Sequence, residues 1–337
     1  MQYNIHDITF QVRSEDPRID HVIRDTLRYF GFLESSKTSS KPIISLTITV
    51  SEPLPSVPPD ACEATQFNNR LTAWRAGKRI YLSDAHSWAQ LETASGTGIG
   101  TISPLLLDHP HTLHWTVYGL LIFSLLILLH YRNLFSMHAA ALVRKGRGVL
   151  FVAASGCGKS TMAYSLVRQG WQYLSDDLIL LRAGDAHVEA FSFRKVFALN
   201  REAQELFPEL TSIAETQPGD DEKVYLSMDL LYPSQEHNRC VPKVLIFPEI
   251  VDASRSQFVS IGKAEAMRYL LEQSGLLMLE PNLVPGHMAL LGRLLAQTQH
   301  YRLMAGRDLK KEPLLIGSIL ENILSNVPSD GLSPIAD

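Results

Sequence analysis

The chain is poor in cysteine. Its 337 residues hold three, Cys62, Cys157 and Cys240. An odd number at such wide spacing gives neither a disulfide framework nor a metal-ligand pattern, and a reducing cytoplasm is the expected setting. Excess positive charge is also missing. Lys and Arg number 31 against 35 Asp and Glu, a net charge of −4, which argues against a general nucleic-acid binder. The N-terminus has no basic head and no apolar core. Met1–Ile8 alternates and contains Asp7, so no signal peptide is expected. Long apolar runs are scarce too. The strongest, Gly119–Leu129, is intensely apolar but short, with His114 before it and His130, Tyr131 and Arg132 after it. A bilayer span needs about 20 apolar residues, so a buried core helix is the first reading and a membrane span the second. His86, His109, His111 and His114 do not fall at metal-ligand spacing, and no internal repeat is visible.

What is present starts at Ser155-Gly156-Cys157-Gly158-Lys159-Ser160-Thr161. An apolar strand, Gly148–Ala153, runs in and a helix, Met162–Val167, runs out. Strand, glycine-rich turn and helix start, in that order, form the context of a phosphate-binding loop. Glycines let backbone N–H groups turn onto phosphate oxygens, and the helix N-terminus adds a favourable dipole. In that chemistry Lys159 reaches the β/γ-phosphates and the Ser160 hydroxyl holds Mg²⁺. The general pattern opens on a glycine where this chain has Ala153, a change that works if the backbone there keeps φ negative.

A short helix later, Gly170 ends the helix and Trp171–Ser175 reads as a strand delivering Asp176 and Asp177 side by side before apolar Leu178–Leu181. Paired carboxylates between apolar runs are costly unless something uses them. Beside a nucleotide site the uses are metal coordination and proton abstraction from an attacking hydroxyl. The bland alternative is a strand end or a turn capped by Asp.

The run Gly148–Leu181 resembles the catalytic core of HPr kinase/phosphorylase and the wider group of HPr-kinase-like proteins, which share an S-G-x-G-K-S loop, a helix ending in Gly and a strand ending in Asp-Asp. The family also places a His before the loop, and Ser136-Met137-His138-Ala139-Ala140-Ala141 fits that place. The resemblance implies that Lys159 and His138 assist phosphoryl transfer and that Ser160 binds Mg²⁺. Asp177 would be the general base, and Asp176 would support the metal or orient its neighbour. The strong match covers about a tenth of the chain, with a weaker one over most of residues 116 to 325. The family's second block, a metal-binding Glu with a Gly-rich stretch, is not found. That region reads Phe191-Ser192-Phe193-Arg194-Lys195-Val196-Phe197, then a helix Arg201–Phe207. The basic loop for phosphorolysis is not recognisable either. These departures point toward relatives that phosphorylate a small peptide rather than HPr.

Patterning along the chain predicts an α/β protein, a mixed sheet with flanking helices preceded by a small α+β domain, and the resemblance implies that the mixed-sheet region is a P-loop kinase core of HPr-kinase type. The expected boundaries are 1–115, 116–327 and a flexible tail, 328–337. In the first region Tyr3–Val12 and Ile43–Val50 read as strands and Pro17–Phe30 as an amphipathic helix. Leu71–Trp74 and Arg79–Leu82 form a hairpin turning at Ala76-Gly77-Lys78. Ser95–Gly100 is glycine-rich but lacks a Lys and a following helix, and reads as a turn or hinge. In the second region a hairpin follows the Asp pair, Pro218–Lys223 is a polar loop, and helices alternate with strands to a last helix, Pro313–Leu324.

Cations must offset the charge of a triphosphate. Arg194, which follows a strand leaving the Asp pair, and Lys223 are preferred over Lys195 and Arg255. The expected function is ATP- and Mg²⁺-dependent phosphoryl transfer to a Ser or Thr hydroxyl of a peptide or small protein. The alternatives are an HPr-type protein kinase/phosphorylase, a nucleotide hydrolase and a non-enzymatic nucleotide-binding module. A homo-oligomer is compatible with each.

Overall fold

The structure, a computed structural model, describes residues 1–32, 34, 43–67, 71–200, 202–212, 223–275 and 280–326. The expected tail 328–337 and most of the polar loop 218–223 lie outside these. The chain divides into two units, Met1–Phe135 with Leu276–Pro285, and Ser136–Gly275 with Gly286–Asp337.

In the first unit an eight-stranded sheet runs, edge to edge, Gln2–Ile5, Ile8–Ser14, Ile44–Val50, Thr97–Ile102, Ser87–Glu92, Arg79–Ser83, Leu71–Ala76 and Cys62–Phe67. The single strand expected over Tyr3–Val12 is instead a hairpin. Ile5 pairs with Ile8, and His6 turns the chain at φ 56, the positive φ that tight hairpins need. Helix Pro17–Tyr29 starts where expected, since the Asp16 side chain accepts from the Arg18 N–H at 2.9 Å and Pro17 takes the first turn, where its missing N–H does no harm. Ile19, Val22, Ile23, Thr26 and Leu27 recur at helical spacing and form its buried stripe. Ser95–Gly100 is not simply a turn. Thr97–Ile102 is a strand inside the sheet, and a Cβ on Gly98 would stand 2.6 Å from Leu46 Cδ2 and 2.7 Å from Leu91 Cδ2. The glycine is there because neighbouring side chains pass over it.

The apolar run lies in a longer helix, Pro110–His130, with Pro110 at its first position. It packs on helix Pro17–Tyr29 and on strand Ser87–Glu92, so the unit boundary falls after Phe135 rather than at residue 115. A sequence boundary drawn in front of the helix separated it from the sheet that receives its apolar surface. Residues Ser124–His130 are buried without a break. By length and composition this helix could cross a membrane, and 61% of its apolar window is buried inside the protein.

The second unit carries a six-stranded mixed sheet in the order Gln172–Ser175, Ala139–Arg144, Arg147–Val152, Pro242–Ile250, Gln299–Ala305, Gln257–Ser260. Arg147–Val152, Pro242–Ile250 and Gln299–Ala305 run parallel, and the remaining neighbours are antiparallel. The inner strands are near-continuous apolar runs because both faces are covered. Phe151, Tyr164, Trp171, Tyr173 and Phe197 are fully buried in one core with Leu166, Leu320 and Leu324. Truncating one such aromatic to Ala costs about 3–5 kcal/mol. Ile179–Ala183 and Val188–Ser192 form the expected hairpin. Val196–Asn200 pairs with Lys223–Ser227, with Asn200 opposite Lys223, so Lys223 opens a strand rather than closing a loop. The helix expected over Arg201–Phe207 spans Glu202–Leu206, and the last helix spans Leu315–Ser325.

Register brings the chemistry to one end of three neighbouring strands of this sheet. Ala139–Arg144 lies between the other two strands and antiparallel to both. Ala141 stands opposite Leu150 on one side and Ser175 on the other, and Ala139 stands opposite Val152. The loop after Val152, the Asp pair after Ser175 and His138 just before Ala139 therefore emerge together.

Candidate active site

The loop begins where strand Arg147–Val152 ends. Gly156 and Gly158 have φ 86 and 81, and Gly158 is the N-cap of helix Lys159–Val167. Any residue with a Cβ would be strained at either position. A Cβ on Gly156 would meet open space, so the demand there is conformational rather than steric. Ala153 does not have positive φ, which is why alanine serves at that position. Ser155 and Gly156 are exposed, while Cys157, Ser160 and Thr161 are half-buried. Lys159 is buried, and its Nζ donates to the carbonyls of Ala153 and Ala154, both at 2.8 Å. The loop thus holds its ammonium against its own backbone.

Asp176 is fully buried. Its Oδ1 accepts from the Ser160 hydroxyl at 3.0 Å and its Oδ2 from the Ala198 N–H at 3.3 Å. Burial pushes its carboxyl above the ordinary value. Asp177 adds to that, and Arg194, Ser160 and Ala198 oppose it. A buried carboxylate beside a serine hydroxyl is an oxygen donor set suited to a small hard cation such as Mg²⁺.

Asp177 adopts φ 68, and the Leu178 N–H closes a tight turn on the Asp176 carbonyl at 2.8 Å. Asp tolerates left-handed φ better than most residues, yet such a turn is strained. Strained backbone concentrates at functional sites. The turn aims the two carboxylates apart. Asp176 goes inward to Ser160, while Asp177 goes outward with its side chain 42% exposed. There Asp177 Oδ1 meets His138 Nε2 at 2.5 Å and Oδ2 accepts from Arg194 Nη1 at 2.9 Å. Burial would raise the Asp177 carboxyl. The His138 hydrogen bond and the charges of Arg194, His138 and Lys159 outweigh it and hold the carboxyl well below the usual carboxylate range.

Arg194 is locked beside the turn through its backbone. Its N–H donates to Ser175 Oγ at 3.0 Å, and its carbonyl accepts from the Asp176 N–H at 3.2 Å. Lys195 Nζ lies 3.7 Å from Glu236 Oε2, so it points to a different partner. Arg255 is exposed and no contact joins it to this cluster among the described residues. Lys223 is placed at the start of its strand only. Sequence reasoning missed Gln273, whose carbonyl accepts from the His138 N–H at 3.2 Å and whose Oε1 lies 3.2 Å from His138 Nδ1. It follows helix Lys263–Glu272, and no local pattern marks it.

No protein-family model matches the chain, and no curated protein matches it. Among solved structures it is similar to the Hpr(Ser) kinase/phosphatase from Coxiella burnetii, with a TM-score of 0.32 and 13% identity over 56% of this chain and 96% of that one.

Proposed function

We propose that the chain is an ATP-dependent phosphotransferase that moves the γ-phosphoryl group to a Ser or Thr hydroxyl of a peptide or small protein. One observation carries this reading: the Ser160–Asp176 hydrogen bond joins the glycine loop directly to the acidic turn that presents Asp177, His138 and Arg194. Phosphate binding and hydroxyl activation then share one end of the three neighbouring strands. Three free cysteines suit a reducing, cytoplasmic setting.

In this reading the backbone N–H groups of residues 156–161 receive the phosphates at the helix start. Lys159 leaves the carbonyls of Ala153 and Ala154 and swings onto the β/γ-phosphates. Ser160 and Asp176 would hold Mg²⁺, which would supply positive charge against the phosphate oxygens. Asp177 accepts the proton of the acceptor hydroxyl. Its exposed face leaves room for that hydroxyl, and a loose transition state asks little basicity of it until the new bond is well formed. Arg194 and His138 hold the carboxylate in place, and Arg194 adds positive charge beside the transferring group.

The test is incubation with γ-labelled ATP, Mg²⁺ and a panel of Ser- and Thr-containing peptides. Label on a peptide, lost in Asp177→Asn, is the expected result. Label only in free phosphate would replace the reading with a hydrolase, and ATP binding with no turnover would replace it with a binding module.

A further inference from the structure

The His138 ring is engaged at both nitrogens. Nε2 faces Asp177 Oδ1 at 2.5 Å and Nδ1 faces Gln273 Oε1 at 3.2 Å. An amide oxygen carries no hydrogen, so Nδ1 must be the donor of that bond. A bare Nε2 against a carboxylate would set two lone pairs face to face. One proton therefore lies between Nε2 and Oδ1. The same Gln273 also fixes the backbone at this point, its carbonyl accepting from the His138 N–H. Residue 138 sits between strands Phe135–Met137 and Ala139–Arg144. The charged groups around the pair are Asp177 itself, Arg194 on its far oxygen, Lys159 and the buried Asp176.

We infer that Gln273 is a positioning residue for phosphoryl transfer: its side-chain oxygen holds His138 Nδ1 and its carbonyl holds the His138 N–H, and together they orient the imidazole with Nε2 on Asp177 Oδ1. It touches neither the glycine loop nor the acceptor face of Asp177 among the described contacts, so its effect runs through His138. Outer partners that fix a histidine's ring orientation are worth about 10–100-fold in activity in metal sites, and the same logic applies to a histidine–carboxylate pair. The rate consequence rests on the phosphotransferase reading; the protonation pattern does not.

Two measurements test this separately. In ¹⁵N spectra of the full chain labelled at histidine, His138 Nδ1 is expected to be protonated in the wild type and to lose that signature in Gln273→Leu. A bare Nδ1 in the wild type, or a spectrum that Gln273→Leu leaves unchanged, overturns the inference whatever the activity. In the transfer assay Gln273→Leu should lower kcat about 10–100-fold with the KM for ATP unchanged. Gln273→Glu keeps an acceptor oxygen in place and should recover most of the rate. Wild-type kcat in Gln273→Leu, or equal loss in both variants, also overturns it. A wild-type chain that binds no nucleotide while keeping the protonated Nδ1 would sink the phosphotransferase reading and leave the Gln273–His138 geometry standing.

Discussion

The hydroxyl of Ser160 donates to Oδ1 of Asp176 at 3.0 Å, tying the first turn of the loop helix to a carboxylate with no solvent exposure. Burial raises the pKa of that carboxyl above the ordinary 3.8, and the charge of Asp177 adds to the rise. A raised carboxyl favours the folded state at low pH and loses that contribution as pH climbs through the folded-state value. At neutral pH without metal, Asp176 is therefore a stability liability retained for another purpose.

Asp176→Asn should stabilise the metal-free protein at pH 7 to 8 by on the order of 1–3 kcal/mol, read as a higher thermal midpoint. The hydroxyl of Ser160 can reverse its role and accept from the new amide NH₂, while the amide oxygen, standing where Oδ2 stood, keeps the Ala198 N–H. The gain should shrink as pH falls toward the ordinary carboxylate range. Scanning calorimetry of both proteins across pH checks this. A variant less stable than wild type at pH 8 would mean that the carboxylate is already compensated. The same substitution should weaken the Mg²⁺ dependence of nucleotide binding.

Asp177 makes a second, purely conformational prediction. Its φ of 68 penalises a residue with a Cβ that lacks the polar side chain. Asp177→Ala and Asp177→Gly both delete the contacts to His138 and Arg194, so their difference isolates the backbone. The glycine variant should be more stable by about 1–2 kcal/mol while both are inactive. Denaturant midpoints measured side by side decide it, and equal stability would remove the strain.

Much of this site was legible because its parts are local. Gly156 and Gly158 announce left-handed positions by residue type alone, and the spacing from Lys159 to Asp176 spans one helix and one strand. Register could not be read. Nothing in the sequence states that Ala141 lies opposite both Leu150 and Ser175, and that pairing is what carries His138 to Asp177. Gln273 is farther still, joined to His138 across a separation of 135 residues. Strand Val196–Asn200 escaped notice because its partner, Lys223–Ser227, lies beyond an intervening segment. Strand Gln257–Ser260 is largely exposed and shows no alternation of buried and exposed positions, so periodicity gave no signal. The Pro110–His130 helix was visible as an apolar run. Its length was not, because the first half is mixed and burial runs unbroken only over Ser124–His130.

His287 sets an acid limit on the fold. It is buried in helix Val284–Gln297, and burial pushes its pKa down to about 4 from 6.5. A depressed histidine leaves stability intact above 6.5 and removes it as pH falls through the folded value, because the unfolded chain takes up the proton first. The displacement corresponds to roughly 3 kcal/mol. Burial lowers His300 in the same direction. His287→Phe should flatten the fall of the thermal midpoint between pH 6.5 and 4. An unchanged slope in a folded variant would place the acid sensitivity elsewhere.

Lys159 gives the most direct prediction about nucleotide. Its ammonium is satisfied by the carbonyls of Ala153 and Ala154 at 2.8 Å, and binding a triphosphate requires it to exchange those bonds for phosphate oxygens. Lys159→Ala leaves the Ala154 carbonyl beside the exposed loop residues Ala154 to Gly156, where water can replace the ammonium, while the Ala153 carbonyl loses a partner in a buried bond. The variant should stay folded at a cost of about 1–3 kcal/mol, that of a buried acceptor left without its donor. Loss of one preorganised cation against a developing phosphoryl charge should cost transfer at least 100-fold, as removing one donor from an oxyanion site does. Calorimetric titration with Mg·ATP and the labelled-peptide assay read the two effects apart. A folded Lys159→Ala chain that binds ATP and transfers phosphate at the wild-type rate would place the phosphate site away from this turn.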